Sequence, residues 1–362
     1  MDIQTYINQN EDYLIKFKNM GLQINKYNVL GLSLIKYNHK TEINDFTKLF
    51  KSVIVNQETN KVACISPMKS IKCDHEILLE NDTEISRMYD GTMINAFFHN
   101  NEWTLSTRSY IGAKNYWNKN SKKSFKDMFN ECFNQYDELN TKHSYSFVLQ
   151  HKDNSNITPV TDNKVILVEE YSYENEYPEK VDTSRTSRTY EISNTYKNYH
   201  ELTTKKKFPE AENIEVIEND IQKYDKGFNI FKDGKRHVYI TDDYKYIFNL
   251  KPNQNNKMFI FLSLYKKRNV DEYLKVYKND KEIFEVYKNK YEIMRNELYN
   301  NYCSHFIKKE IVTKDVPFQL KPIIYELHDI YRSTGQKINY KLINDYLQNM
   351  NVKRLTFILN HY

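Results

Sequence analysis

Three patterns of hydrophobic and polar positions follow one another along this chain. Over residues 1–20, Tyr6, Ile7, Tyr13, Leu14 and Phe17 share roughly one face at helical spacing and predict a helix. From about 22 to 175 the apolar residues gather in short runs rich in β-branched and aromatic side chains, VACIS, TMINAFF, EWTLSTR, YSFVLQ and KVILVEEY, which predict strands. Asn100-Asn101 between two of these runs predicts a hairpin turn. A helix is predicted at 123–138, carrying Phe125, Met128, Phe129, Cys132 and Phe133. Residues 176–212 are polar, include Lys205-Lys206-Lys207, and are read as a long loop, a lid or a helical insertion. Strand character returns from 224 to 264 in GFNIF, HVYITDDY, YIFNL and MFIFLSLY.

Beyond about 266 the period changes to threes and fours. Leu274, Tyr277, Phe284, Tyr287, Tyr291, Met294 and Leu298 predict one long amphipathic helix, and helices follow at about 320–333 and 339–349. The expected fold class is therefore α+β: a β-rich domain over 1–265 and a small all-α domain over 266–362. No internal repeat is evident.

Composition adds limits. A length of 362 residues suits one large domain plus a smaller one. The 31 Tyr can build a core with few Leu, because Tyr buries a ring and keeps a polar tip. An AT-rich coding sequence accounts for so much Tyr, Asn and Lys. The net charge of +5 permits a phosphate-facing surface without demanding one. The seven glycines form no Walker loop, no G-x-G-x-x-G and no G-x-S-x-G, which argues against a P-loop nucleotidase, a dinucleotide-binding Rossmann enzyme and an α/β-hydrolase. Cys64, Cys73, Cys132 and Cys303 have neither C-x-x-C nor zinc spacing and read as free thiols in a reducing compartment. The N-terminus lacks a secretory apolar stretch and no run is long enough to cross a membrane. An intracellular protein without membrane contact is expected.

One stretch carries candidate chemistry. Arg87-Met88-Tyr89-Asp90-Gly91-Thr92 leads through a hairpin to Thr107-Arg108. This resembles motif I, K-x-D-G, and the T-R element that follows it in covalent nucleotidyltransferases, in particular the bacteriophage RNA ligase 1 family. Ser66-Pro67-Met68-Lys69 is similar to a segment preceding motif I in phage-type ligases. Tyr145 through Ile157, with Gln150 near the expected acid, resembles motif III. Lys164-Val165-Ile166-Leu167-Val168-Glu169-Glu170-Tyr171 resembles the next strand, and Asp225-Lys226-Gly227-Phe228 resembles motif IV, E-G-[FY]-V. The resemblance spans roughly residues 50–250. The run from Pro317 to Tyr331 is similar to the tail of RNA-ligase-like proteins of giant DNA viruses. The resemblance implies a nucleotidyltransferase fold with ATP-grasp-like antiparallel sheets, and the cytoplasm, virus factory or virion of an infected cell as its location.

In that family a lysine amine attacks the α-phosphate of ATP, and basic groups and a metal balance the phosphate charge. Here Met88 occupies the nucleophile position, and a thioether forms no phosphoramidate. Arg87 is adjacent, but its guanidinium stays protonated and is expected on the other strand face. Lys226 stands where the metal-binding Glu belongs, and counting back from Tyr244 places Val238 and Ile240 at the two lysines of motif V, with Lys235 and Arg236 out of register. No catalytic residue and no metal ligand is therefore assigned. The resemblance implies nucleotide binding by Lys69, Asp90, Gly91, Arg108, Gln150, Lys226 and Gly227. Each also has an ordinary reading: a turn for Asp90 and Gly91, a surface cation for Arg108, a crowded strand for Gly227. His151 reads as a structural histidine. The leading expectation is a pseudo-ligase that binds RNA, a nucleotide or, through its helical domain, a protein. One alternative is an active RNA ligase using ATP and Mg²⁺, in which Met88 is an engineered change. The other is a scaffold or virion protein that keeps only the fold.

Overall fold

The computed structural model describes residues 2–72, 84–117, 121–154, 156–173, 179–180, 189–191, 225–232, 234–251 and 256–362. The chain divides into two units, Met1–Tyr246 and Ile247–Tyr362.

The N-terminal apolar stripe forms two helices rather than one, α1 (Ile3–Asn8) and α2 (Tyr13–Asn19). Asp2 caps the first by accepting from the Thr5 amide. The break has a local cause: the Asn10 side chain donates to the Tyr6 carbonyl at 2.7 Å, competing with the helical ladder. Both helices lay Ile3, Ile7, Tyr13 and Phe17 on an antiparallel sheet of β1 (Gln23–Tyr27), β2 (Leu32–Lys36), β3 (Val53–Asn56) and β4 (Val62–Ile65).

A second sheet is built on β7 (Thr92–His99), β8 (Glu102–Thr107), β9 (His143–Gln150) and β10 (Lys164–Ser172), in the order β10-β9-β7-β8. The predicted Asn100-Asn101 turn joins β7 to β8, and both asparagines have positive φ, 49° and 61°, the pair a type I′ hairpin needs. One face is covered by α3 (Phe125–Cys132), which opens on a Ser124–Asp127 capping box. It buries Phe125, Met128, Phe129 and Cys132 against Ile94, Phe147, Leu149 and Val165. The helix is shorter than the expected 123–138 because Phe133 turns extended, φ −143° and ψ 124°, to put its ring in the same core. Within 176–212, the short strands β11 (Glu179–Lys180) and β12 (Thr189–Glu191) pair with β10, so the loop-or-helix reading fails at those positions. The rest of that segment, Lys205 to Lys207 included, lies outside the described residues.

A third sheet has the order β5-β14-β13-β6, from β5 (Ile71–Lys72), β6 (Glu84–Met88), β13 (Gly227–Lys232) and β14 (Lys235–Ile240). Its register places Met88, Gly227 and Ile240 in one cross-strand row and Ser86, Asn229 and Val238 in the next.

The second unit corrects two expected strands. YIFNL lies in α4 (Asp242–Leu250) and MFIFLSLY in α5 (Lys257–Lys267). A continuous apolar run does not by itself separate a strand from a buried helix. Here acidic Asp242 and Asp243 open the first helix, and Asn256 caps the second by accepting from the Phe259 amide. The unit boundary accordingly lies about twenty residues before the expected 265/266, since Met258, Ile260, Phe261, Leu262 and Leu264 belong to the helical core. The expected long helix is broken into α6 (Val270–Val276) and α7 (Lys281–Tyr302). The turn between them is tied by Asp280, which accepts from Tyr273 Oη and Lys257 Nζ. Next come α8 (Lys321–Thr334) and α9 (Tyr340–Asn349), at the predicted places, and α10 (Val352–Asn360). The architecture is α+β, with a β-rich N-terminal unit and a helical C-terminal one. Among the described residues no helix is long and apolar enough to cross a membrane.

Candidate functional site

Strands β6 and β7 belong to different sheets, and Tyr89-Asp90-Gly91 carries the chain between them. This crossing needs its glycine. Gly91 has φ +152°, and a Cβ there would lie 2.5 Å from the Leu149 carbonyl oxygen. Asp90 fixes the crossing from inside. Its Oδ2 accepts from the Ile157 and Thr158 amides at 2.6 and 3.0 Å, and its Oδ1 accepts from Tyr244 Oη at 2.9 Å. Gln150 supports the same segment by donating to the Asp90 carbonyl at 2.8 Å. Gly227 begins β13 at φ +143° with the Tyr239 carbonyl 1.9 Å from where a Cβ would be. It serves close strand packing.

Beside this crossing, within the N-terminal unit, lies a cavity of about 520 Å³. Its lining includes an apolar and aromatic set, Met88, Tyr89, Met93, Trp117, Phe125 and Val148. It also includes the cations Lys51, Arg87, Arg108, Lys226 and Arg236, and no Asp or Glu lines the cavity among the described residues. Arg108 is oriented by donating to the Lys51 and Tyr37 carbonyls at 3.3 and 3.2 Å and lies 4.5 Å from the Tyr37 ring. Lys226 Nζ is 3.7 Å from Asp90 Oδ1, close enough to pair at low solvent exposure. Arg236 is 7% exposed, donates to the Met68 carbonyl and stands 3.9 Å from buried Glu169. Burial first, and then the Arg236 guanidinium, lower the Lys51 ammonium to about 8.

Of the residues singled out in sequence, the cavity gathers Met88, Gly91, Arg108 and Lys226. Asp90, Gln150 and Gly227 sit behind it as supports. Lys69 is not on the wall; its ammonium lies 5.3 Å from the Tyr37 ring. Arg87 was expected on the far strand face, yet it lines the cavity beside Met88, where β6 ends and the alternation of faces lapses. Lys51 and Arg236 were not among the assigned residues. Arg236 could have been found from the two-residue period, since it shares a face of β14 with Val238 and Ile240. Lys51 precedes a strand with no motif around it, and only the tertiary structure brings it in. His151 is buried and bonded to Glu131 at 2.9 Å, a structural histidine.

Cys64 and Cys132 are buried free thiols and Cys303 is a partly exposed one, while Cys73 lies outside the described residues. No group of three metal-ligating side chains occurs among the described residues.

No family model matches this chain, and no curated protein does. Among solved structures, one described as "Putative ATP-dependent DNA ligase from Aquifex aeolicus" is similar over 89% of this chain and 80% of its own, at 10% identity and a TM-score of 0.42.

Proposed function

We propose that this chain is a ligase-like protein that holds a phosphate-bearing nucleotide, or the phosphorylated end of an RNA, without covalent chemistry. The carrying observation is the cavity itself: five cations and a set of apolar and aromatic side chains line it together, and a thioether stands where the motif resemblance puts the nucleophilic lysine. Cations bind phosphate oxygens and aromatic side chains accept a base. Charge distribution favours RNA as the larger partner. Residues 247–362 hold 20 Lys and Arg against 12 Asp and Glu, a formal +8, while residues 1–246 hold 33 against 36, a formal −3. A basic helical unit supplies the sequence-independent phosphate attraction that RNA binding uses. Equilibrium dialysis with ATP and with 5′-phosphorylated oligoribonucleotide tests the reading. Retention that is lost in Arg236→Ala supports it; no retention of either at millimolar concentration overturns it and leaves the fold as a scaffold.

Lys51 favours a second reading, an active ligase. Its amine lines the cavity and is neutral in part near pH 8. In an adenylation step Lys51 Nζ would attack the α-phosphorus, a P–N bond would form, the P–O bond to pyrophosphate would break, and the amine proton would pass to solvent. Peptide mapping after incubation with ATP tests this, because a mass increment of AMP on Lys51 would establish it.

A further inference from the structure

The motif resemblance implies Mg²⁺, and among the described residues the donor set around the cavity does not fit it. Mg²⁺ takes a near-octahedral shell of oxygens and is held in proteins by one or two carboxylates plus phosphates. The carboxylates beside the cavity are already engaged. Asp90 accepts through both oxygens from two amides and a phenol and has Lys226 Nζ at 3.7 Å. Glu169 accepts from Tyr171 Oη at 3.0 Å and faces Arg236 at 3.9 Å. Asp225 is within 4.0 Å of the Arg87 guanidinium. A dication brought here meets Lys51, Arg87, Arg108, Lys226 and Arg236; Asp225, Asp90 and Glu169 offset three of these cations, and the excess positive charge that remains repels a metal ion.

Two buried polar atoms point to the ligand that does fit. Arg236 Nε is buried with no hydrogen-bond partner among the described residues, so one guanidinium donor is left for an anion. Asn229 is 5% exposed and lies on the cavity wall. Its Nδ2 donates to the Arg87 carbonyl, which turns Oδ1 the other way, buried and likewise without a partner. A buried donor and a buried acceptor left open cost stability unless something satisfies them. A ligand that carries anionic oxygens and an N–H or O–H group, as a nucleotide does, would satisfy both once the Arg236 and Asn229 side chains, which line the cavity, turn these atoms toward it.

We infer that the cavity takes a nucleotide polyphosphate free of divalent cation, with the five side-chain cations neutralising the charge that Mg²⁺ neutralises in metal-dependent sites. The inference rests on the non-covalent reading above and adds the ionic form of the ligand. Metal complexation removes two negative charges from the polyphosphate, so Mg²⁺ competes with this site instead of completing it.

The experiment is calorimetric titration of the full chain with ATP at constant ionic strength, once with EDTA and once with excess Mg²⁺. Binding at least about tenfold tighter in EDTA is expected, a difference of 1.4 kcal/mol. Lys226→Glu returns a carboxylate to the wall and should reverse the preference, so that Mg²⁺ then aids binding. Lys226→Gln, which adds no charge, should weaken binding in EDTA and leave the preference in place. Equal affinity in the two buffers, or a requirement for Mg²⁺, overturns the metal-free inference while leaving the nucleotide-binding reading intact. No binding in either buffer overturns both.

Discussion

Replacing Lys51 with methionine separates a residue kept for binding from one kept for the fold. Burial and the Arg236 guanidinium bring the Lys51 ammonium from 10.5 to about 8, with Arg108 and Lys226 adding to the depression and Glu169 opposing it. At 1.36 kcal/mol per unit, the charged amine costs the folded state up to about 3 kcal/mol. The sign follows from the direction of the shift. The folded value lies below the unfolded one, so the cost is complete below pH 8, shrinks as pH rises, and is gone above about 10.5. Methionine is unbranched and one atom shorter than lysine, and it removes the charge. Lys51→Met should therefore raise the unfolding free energy at pH 7 by about 1–3 kcal/mol, and the gain should fall to under about half by pH 9.5. Urea unfolding followed by tryptophan fluorescence is the assay. Trp103 and Trp117 are the two tryptophans of the chain and both lie in the N-terminal unit, so the signal reports that unit alone. The same substitution should weaken phosphate-ligand binding about tenfold, a trade of affinity for stability. A variant destabilised at pH 7, or a gain that does not change with pH, would refute the electrostatic account of Lys51.

Other outcomes follow from the same geometry. ATP binding should weaken as pH rises through about 8, because a bound phosphate favours the protonated amine, and Lys51→Arg should flatten that profile in a pH series of titrations. Gly227→Ala forces a Cβ to within 1.9 Å of a backbone oxygen at φ +143° and should cost several kcal/mol in a denaturant melt; Gly335→Ala, at φ +68° with nothing within 4 Å, should cost about 1 kcal/mol. Asp90→Ala removes the acceptor of two amides and a phenol and should cost about 3 kcal/mol or more, read by the same tryptophan signal. Met88→Lys alone should not produce an AMP adduct in intact-mass measurements, because Val238 and Ile240 still occupy the face beside it and Lys226 still repels a metal.

Much of the β-rich unit was legible because its strands are short and bounded by turn residues. The TMINAFF and EWTLSTR runs and the Asn-Asn turn between them are β7, β8 and their hairpin. The misreadings have one physical origin: YIFNL and MFIFLSLY are apolar runs too short to separate a strand from a helix by themselves, and the signals that do so lie just upstream, Asp242 and Asp243 in the first turn of one helix and the Asn256 cap of the other. The site was legible where a motif sits on one strand and its turn, as at Met88 and Gly91. It was illegible where cations converge from segments far apart in sequence: Lys51 and Arg236 are 185 positions apart, and their meeting is a property of the tertiary fold. Asp90, Gln150 and Gly227 belong to three of the resembling motifs, I, III and IV, but support the cavity instead of lining it, since a motif marks the residues that shape a site as well as those that face it.

The most direct test of the account pairs two readouts on one sample. Purified chain is incubated with radiolabelled ATP, with Mg²⁺ or Mn²⁺ and with EDTA, then divided between equilibrium dialysis and denaturing electrophoresis beside a working ligase. The expected result is label retained in dialysis, most strongly in EDTA, and none on the denatured chain. A covalently labelled band, or no retention under any condition, would contradict it.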